Sequence, residues 1–536
     1  MPSNSAGVAL AALVALAGTI AAPGVARGQD DGRATGADPA MPRIDTVVIL
    51  NHNVFGETGD GPGFVARLAN ALHITTRPSV IRRTLLLDEG EPFDSARATE
   101  SERALRGLRV FRNVRVDTTR VREALALRVI TADGWSTKPQ ANYSAAGGDE
   151  TWEVRLVEQN LLGTATELAL AYRRTPDRDG VELAYVNPHF LTRRVPLWLK
   201  YSDLSDGRRG EWAVGLPFYQ TAAPWALGLD GEAARERVLV FRDGTLLSSP
   251  QRRVVRVSLA GGVATYASSR RYVRLWGRAV WRREDFAPDT VSVFPRSFFA
   301  AAGAGVELGH ARYRVVEHFN SYSRREDVDL SQILRIGAWA TPRAWGYPAA
   351  RAGIGPEFRG QLSTVWRGGF AVARVAGHGI WGPAGLDSGR VRGSVTVMSQ
   401  NLPRQTWIAH AEAAVARRPA PGGEYDLWIE RRGPRLFGAH DFTGTRRVWL
   451  ALEDRVLVAD DVWGLMGVGI SAFADWGGAW YADEPARLGG NVGIALRLGA
   501  TRASRGQPAE FALGWRWGDG GGGDGWGFAV RQGIEF

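Results

Sequence analysis

Few of the residue types that do covalent or metal chemistry occur in usable patterns in this chain. Its 536 residues contain no cysteine, which excludes disulfides, thiolate nucleophiles and thiolate metal ligands. The eight histidines show no ligand spacing, and G-x-S-x-G, H-E-x-x-H and the EF-hand loop are all missing. The stretch Gly518-Asp519-Gly520-Gly521-Gly522-Gly523 formally matches G-x-G-x-x-G. No βαβ unit surrounds it, so it reads as a hairpin loop. His440-Asp441 reads as structural. What remains is charge on alternating segments. Asp475 shares a side with Gly467, Gly469, Ser471 and Phe473 in GVGISAFADW (467–476), opposite Val468, Ile470 and Ala472. Glu453 shares a side with Arg447 and Arg455, opposite Val448, Leu450 and Leu452. Carboxylates placed like this can hold a guanidinium in a charge-assisted, bidentate pair. That is binding chemistry. No enzyme activity, cofactor or metal is expected.

The segments that carry these residues must be strands. After Gly134, helical periodicity stops and alternation runs to the end. In TELALAYR (166–173), Thr166, Leu168, Leu170 and Tyr172 face one way; in EFALGWRWG (510–518), Phe511, Leu513, Trp515 and Trp517 oppose Glu510 and Arg516. The last stretch, GFAVRQGIEF (527–536), places Phe528, Val530, Ile534 and Phe536 opposite Gly527, Ala529, Arg531, Gly533 and Glu535. Apolar-out, polar-in alternation of this length is the pattern of a transmembrane β-barrel, whose closure pairs every edge. The 66 glycines and 20 tryptophans fit turns, strand kinks and membrane–water interfaces. About 400 residues at roughly 25 per strand and connection give about sixteen strands. Phe528, Ile534 and Phe536 mark the closing strand.

Residues 1–28 read as a signal peptide, with Val8 to Ala22 almost wholly apolar and small residues at Ala26 and Gly28. Residues 29–41 read as a linker. Residues 42–134 read as a small α+β module in the order strand, helix, helix, strand, strand, with Asp94 capping the second helix. Residues 135–536 form the barrel. The net charge is +10, but the arginines are spread through alternating segments without a dense patch, which argues against nucleic-acid binding.

Several local stretches resemble one family, in order along the chain. LANALHITTRPSVIRRTLLLDEGEPFD (68–94) and ESERALRGLRVFRNVRV (100–116) resemble the POTRA domain of the BamA/TamA-type outer-membrane assembly superfamily, which includes bacterial surface antigen barrels. VEQNLLGTATELALAY (157–172), with Asn160 and Gly163, resembles its early barrel strands. PRLFGAHDFTGTRRVWLALEDRV (434–456) resembles its lumen-inserted loop and the strand that follows. FADWGGAW (473–480), with Phe473, Asp475 and Gly477, is similar to its aromatic-x-Asp-x-Gly strand. The family pattern in the loop is apolar-Arg-Gly-aromatic. Here Arg435 and Phe437 fit, with Leu436 in place of glycine; Arg432-Gly433 offers another register.

The resemblance implies that Asp475 holds Arg435 inside the lumen, with Glu453 a second candidate partner. It implies an outer-membrane barrel with one periplasmic POTRA domain that assists assembly, insertion or translocation of client proteins. Expected partners are outer-membrane lipid, unfolded or secreted clients, and periplasmic chaperones or lipoproteins. The other readings are a dedicated two-partner-type secretion transporter, a plain anion-favouring channel and a surface-structural or antigenic barrel with no transport.

Overall fold

In a computed structural model, the described residues are 42–532, apart from 56–63, 65–66, 68–69, 72, 147–148, 243, 288–296, 321, 323–324, 346–351, 383–384 and 502–507. The expected signal peptide and linker, together with Ile534 and Phe536, lie outside them.

The first unit contains β1 (Thr46–His52), α1 (Pro78–Thr84), α2 (Ser95–Gly107), β2 (Phe111–Val121) and β3 (Ala124–Asp133). The sheet order is β1-β3-β2, with β1 parallel and β2 antiparallel to β3. The helices begin where the sequence expects. Proline opens α1, and the Asp94 carboxylate accepts from the Ala96 and Arg97 amides at 2.8 and 3.2 Å to cap α2. Ile81, Leu85 and Leu105 bury against Leu127 and Val129 of β3 and form one core. Each such burial contributes about 1.5–3 kcal/mol.

The second unit is one antiparallel sheet of twenty strands in the order of a closed barrel, in which the first strand (Thr137–Ala146) neighbours the last (Gly525–Gln532). The expectation of about sixteen strands is corrected. Connections are shorter than assumed, and strands of eight to ten residues such as Glu167–Arg174 and Leu197–Leu204 pack more of them into the same length. Alternation sorts residues as expected. Leu450, Leu452, Phe511, Leu513, Trp515 and Phe528 are exposed on the outside, whereas Glu453, Asp475, Glu510 and Ala529 are buried on the inside. An outer face this apolar is built for lipid.

Two insertions enter the lumen. A long loop (418–445) descends from the end far from the first unit. A hairpin in 311–331, with strands Tyr313–Val316 and Glu326–Asp329, enters from the near end. The first unit docks on the turns of that near end. Asn160 Nδ2 donates to Ile74 O at 3.1 Å and to Thr76 Oγ1 at 3.0 Å. Arg193 reaches Asp88 at 2.9 Å. The Glu100 carboxylate accepts from the Thr221 amide and hydroxyl at 3.0 and 2.6 Å. Val54 and Phe55 pack with Trp135 and Leu465.

Candidate functional site

The long loop is folded so that one arginine points into the barrel wall. Within it a two-residue ladder pairs Tyr425–Asp426 with Thr443–Gly444. The Asp426 carboxylate accepts from the Trp428 and Ile429 amides at 3.0 and 3.1 Å, which turns the chain. The Arg432 amide then bonds back to Leu427 O at 3.0 Å, and the next residues run along the wall.

Arg435 is fully enclosed there. Its Nε donates to Asp475 Oδ2 at 2.6 Å and one terminal nitrogen to Asp475 Oδ1 at 3.0 Å. The other terminal nitrogen donates to Glu510 Oε1 at 2.8 Å. The guanidinium also lies 3.9 Å from the centre of the Phe473 ring, a cation–π contact strengthened by exclusion of water. The backbone joins in. The Arg435 amide donates to Asp475 Oδ2 at 3.2 Å, and the Leu436 amide to Asn491 Oδ1 at 3.1 Å. Asn491 in turn donates to Asp475 Oδ2 at 2.9 Å, fixing the carboxylate.

The Arg435 register holds the pair. Arg432 instead points to Glu412, at 2.8 Å, and is partly exposed. Glu453 is 3.6 Å from Arg435 but is held mainly by Arg455 at 2.9 Å and Arg497 at 2.8 Å. The direct second partner is Glu510, which Arg531 of the closing strand also reaches at 3.1 Å. Glu510 had a legible signal, since it sits on the polar side of its strand. Asn491 had none. The result is four guanidiniums around three carboxylates: Arg435 from the loop and the other six groups from strands Arg446–Val462, Met466–Trp480, Gly489–Ala500, Ala509–Gly518 and Gly525–Gln532.

Leu436, the departure from the resembled pattern, is fully buried. Its side chain lies among Phe473, Ala495, Ala512 and Ala529. A methyl group added at Gly527 would come 3.1 Å from its Cβ. Small residues on the last three strands make the room that a glycine in the loop would have left unfilled. Phe437 packs edge-on to Phe442 with centroids 5.0 Å apart. Its ring fills the space over Gly489 and Gly520, where added Cβ atoms would meet it at 2.6 and 2.3 Å. Gly477 is needed for close approach, because a Cβ there would sit 2.4 Å from Val448 O.

Asn160 and Gly163 lie apart from this cluster, at the joint between the two units. Gly163 has φ +75°, and a Cβ on it would lie 2.6 Å from Thr75 O. Its own carbonyl accepts from the Arg77 amide at 2.9 Å.

A second anchor holds the far end of the loop. His440 bonds Asp426 through Nδ1 at 2.6 Å and Asp177 through Nε2 at 2.8 Å. It also stacks on Phe241, with centroids 3.4 Å apart. Burial opposes its charge, but hydrogen bonds to Asp177 and Asp426 and their charges outweigh that and raise its pKa to about 9. A cavity of about 1330 Å³ remains beside the loop, lined by arginines such as Arg209, Arg374 and Arg392 and by acids such as Glu153 and Glu236. Among the described residues no group of three or more His, Cys, Asp or Glu side chains is placed to hold a metal ion.

No protein-family model matches the chain, and no curated protein does. Solved structures do match. The chain is similar to BamA and CdiB barrels. BamA from Haemophilus ducreyi lacking POTRA domains 1–3 is 11% identical, with 90% of this chain and 83% of that chain covered and a TM-score of 0.37. CdiB from Escherichia coli is 10% identical, with 92% and 76% covered and a TM-score of 0.48. The alcaligin outer-membrane receptor FauA from Bordetella pertussis is 12% identical, with 76% and 78% covered and a TM-score of 0.34.

Proposed function

We propose that this protein is an outer-membrane barrel of the BamA/TamA-type assembly superfamily that helps client proteins fold into the outer membrane or pass through it. The observation that carries this reading is the burial of Arg435, from the lumen loop, between Asp475 and Glu510, which lie among the last four wall strands, Glu510 on the strand next to the closing one. The loop is thereby tied to the part of the barrel that ends at the junction with the first strand. The described part of the closing strand, Gly525–Gln532, carries Gly525 and Gly527, which weaken strand pairing. A junction that opens while the loop holds its neighbours in place suits insertion of a client strand.

In this reading residues 42–134 are a POTRA domain in the periplasm, reached after export through the signal peptide of residues 1–28. β1 and β2 are the edges of its sheet, and an extended client segment adds to such an edge through main-chain hydrogen bonds. No chemical step is required. A plain channel fits poorly, because the loop and the hairpin both occupy the lumen.

The test is a quantitative proteome of the outer membrane and culture supernatant after depletion. Loss of many barrel proteins supports general assembly. Loss of one secreted protein assigns a dedicated transporter. A change in small-solute permeability alone overturns the proposal.

A further inference from the structure

We infer that the hairpin in 311–331 is a wedge that closes the barrel lumen at its near end, and that the Arg106–Asp327 pair couples its release to movement of α2. Three observations carry this.

The hairpin packs on the barrel wall just below the lumen cavity. Val316, Phe319 and Leu330 pack against Val372, Met398 and Ile408 on three adjacent wall strands. On each strand the next inward-facing residue, Arg374, Thr396 or His410, lines the open cavity. Apolar contact ends and the water-accessible space begins within one strand repeat of two residues. On these three strands the wedge therefore lies one repeat below the space.

The hairpin tip has a fitted seat. Added Cβ atoms at Gly467 and Gly499 would meet the Tyr322 ring at 2.8 and 2.7 Å, and one at Gly469 would meet its hydroxyl at 2.3 Å. Three glycines on two neighbouring strands thus leave a slot one ring wide. Three residues earlier, Phe319 O accepts from Arg455 at 2.6 Å. Arg455 also binds Glu453, so the seat is continuous with the network around Arg435.

The base of the hairpin is gripped by the first unit. Arg106 of α2 donates to both Asp327 oxygens, at 2.6 and 2.8 Å. Arg103, one turn earlier, lies 3.8 Å from the centre of the Tyr313 ring. A bidentate pair fixes direction as well as distance, so a shift of α2 pulls on the strand Glu326–Asp329. The wedge is the two-state element that such coupling requires.

The test is single-channel conductance of the full-length protein in planar lipid bilayers, with heat-modifiable gel mobility confirming that each barrel is folded. The native protein should be closed with rare openings. Tyr322→Ser empties the slot and Gly499→Ala narrows it from the other side; both should raise the open fraction about tenfold. Arg106→Glu, at the surface between the units, should raise it as well. The double exchange Arg106→Asp with Asp327→Arg should restore closure. A native protein that stays open, or Tyr322→Ser and Gly499→Ala variants that conduct like the native protein, would overturn the wedge. Arg106→Glu without effect, or a double exchange that does not restore closure, would overturn the coupling. These outcomes do not depend on whether the barrel assembles clients.

Discussion

Arg435 and Asp475 are 40 residues apart in sequence and meet with 2.6 Å between Nε and Oδ2, both shut off from water. The pair is a loop residue held by a wall residue, so its loss should be felt by the loop first. Breaking one side of a buried pair costs about 3–5 kcal/mol because the other charge is left unpaired. Asp475→Ala should therefore make residues 418–445 sensitive to protease while the barrel stays resistant. Cleavage at the native rate would remove the locking role. Glu510→Gln should act in the same direction but more weakly, since Asp475 makes two side-chain bonds to Arg435 and Glu510 one.

Leu436 predicts a compensation. Ala512 is fully buried against it, and overpacking a well-filled site costs about 1–3 kcal/mol. Ala512→Leu should lower the thermal transition of the barrel, and Leu436→Ala added to it should recover part of the loss. Additive effects in a double-mutant cycle would mean that the two side chains do not share the space.

The His440 anchor predicts a pH dependence. Its pKa is raised to about 9 from an ordinary 6.5. Its contribution is fully present below about 6.5 and is lost as pH rises through about 9. Loop proteolysis should accelerate between pH 7 and 10. His440→Gln should already cleave fast at pH 7 and respond little to pH. An unchanged slope in that variant would assign the dependence to another group.

The joint between the units predicts a backbone effect. Gly163→Ala forces a side chain into positive φ and against Thr75 O, at a cost of about 1–3 kcal/mol. Hydrogen exchange at residues 74–77 should rise while the core amides of β3 stay protected. Asn160→Ala should raise it too, because Ile74 O and Thr76 Oγ1 lose their donor. Unchanged exchange in both variants would place the docking energy elsewhere.

Alternation by itself decided which residues face lipid and which face the lumen. Period two is a local property of extended chain, so Leu450, Glu453, Asp475 and Phe511 could be assigned to faces with no knowledge of their neighbours. The cap of α2 was legible for the same reason: Asp94 acts within one turn of itself. The pairing of Arg435 with Asp475 came from resemblance in chain order. Its other contacts depended on the closed structure. Strand count, the approach of Glu510, Asn491 and Arg531, the small-residue space around Leu436 and the seating of Tyr322 depend on which strands lie opposite one another. That is set by closure of the whole sheet and by segments entering the lumen from its two ends. Such contacts join residues tens to hundreds of positions apart, and no local period records them.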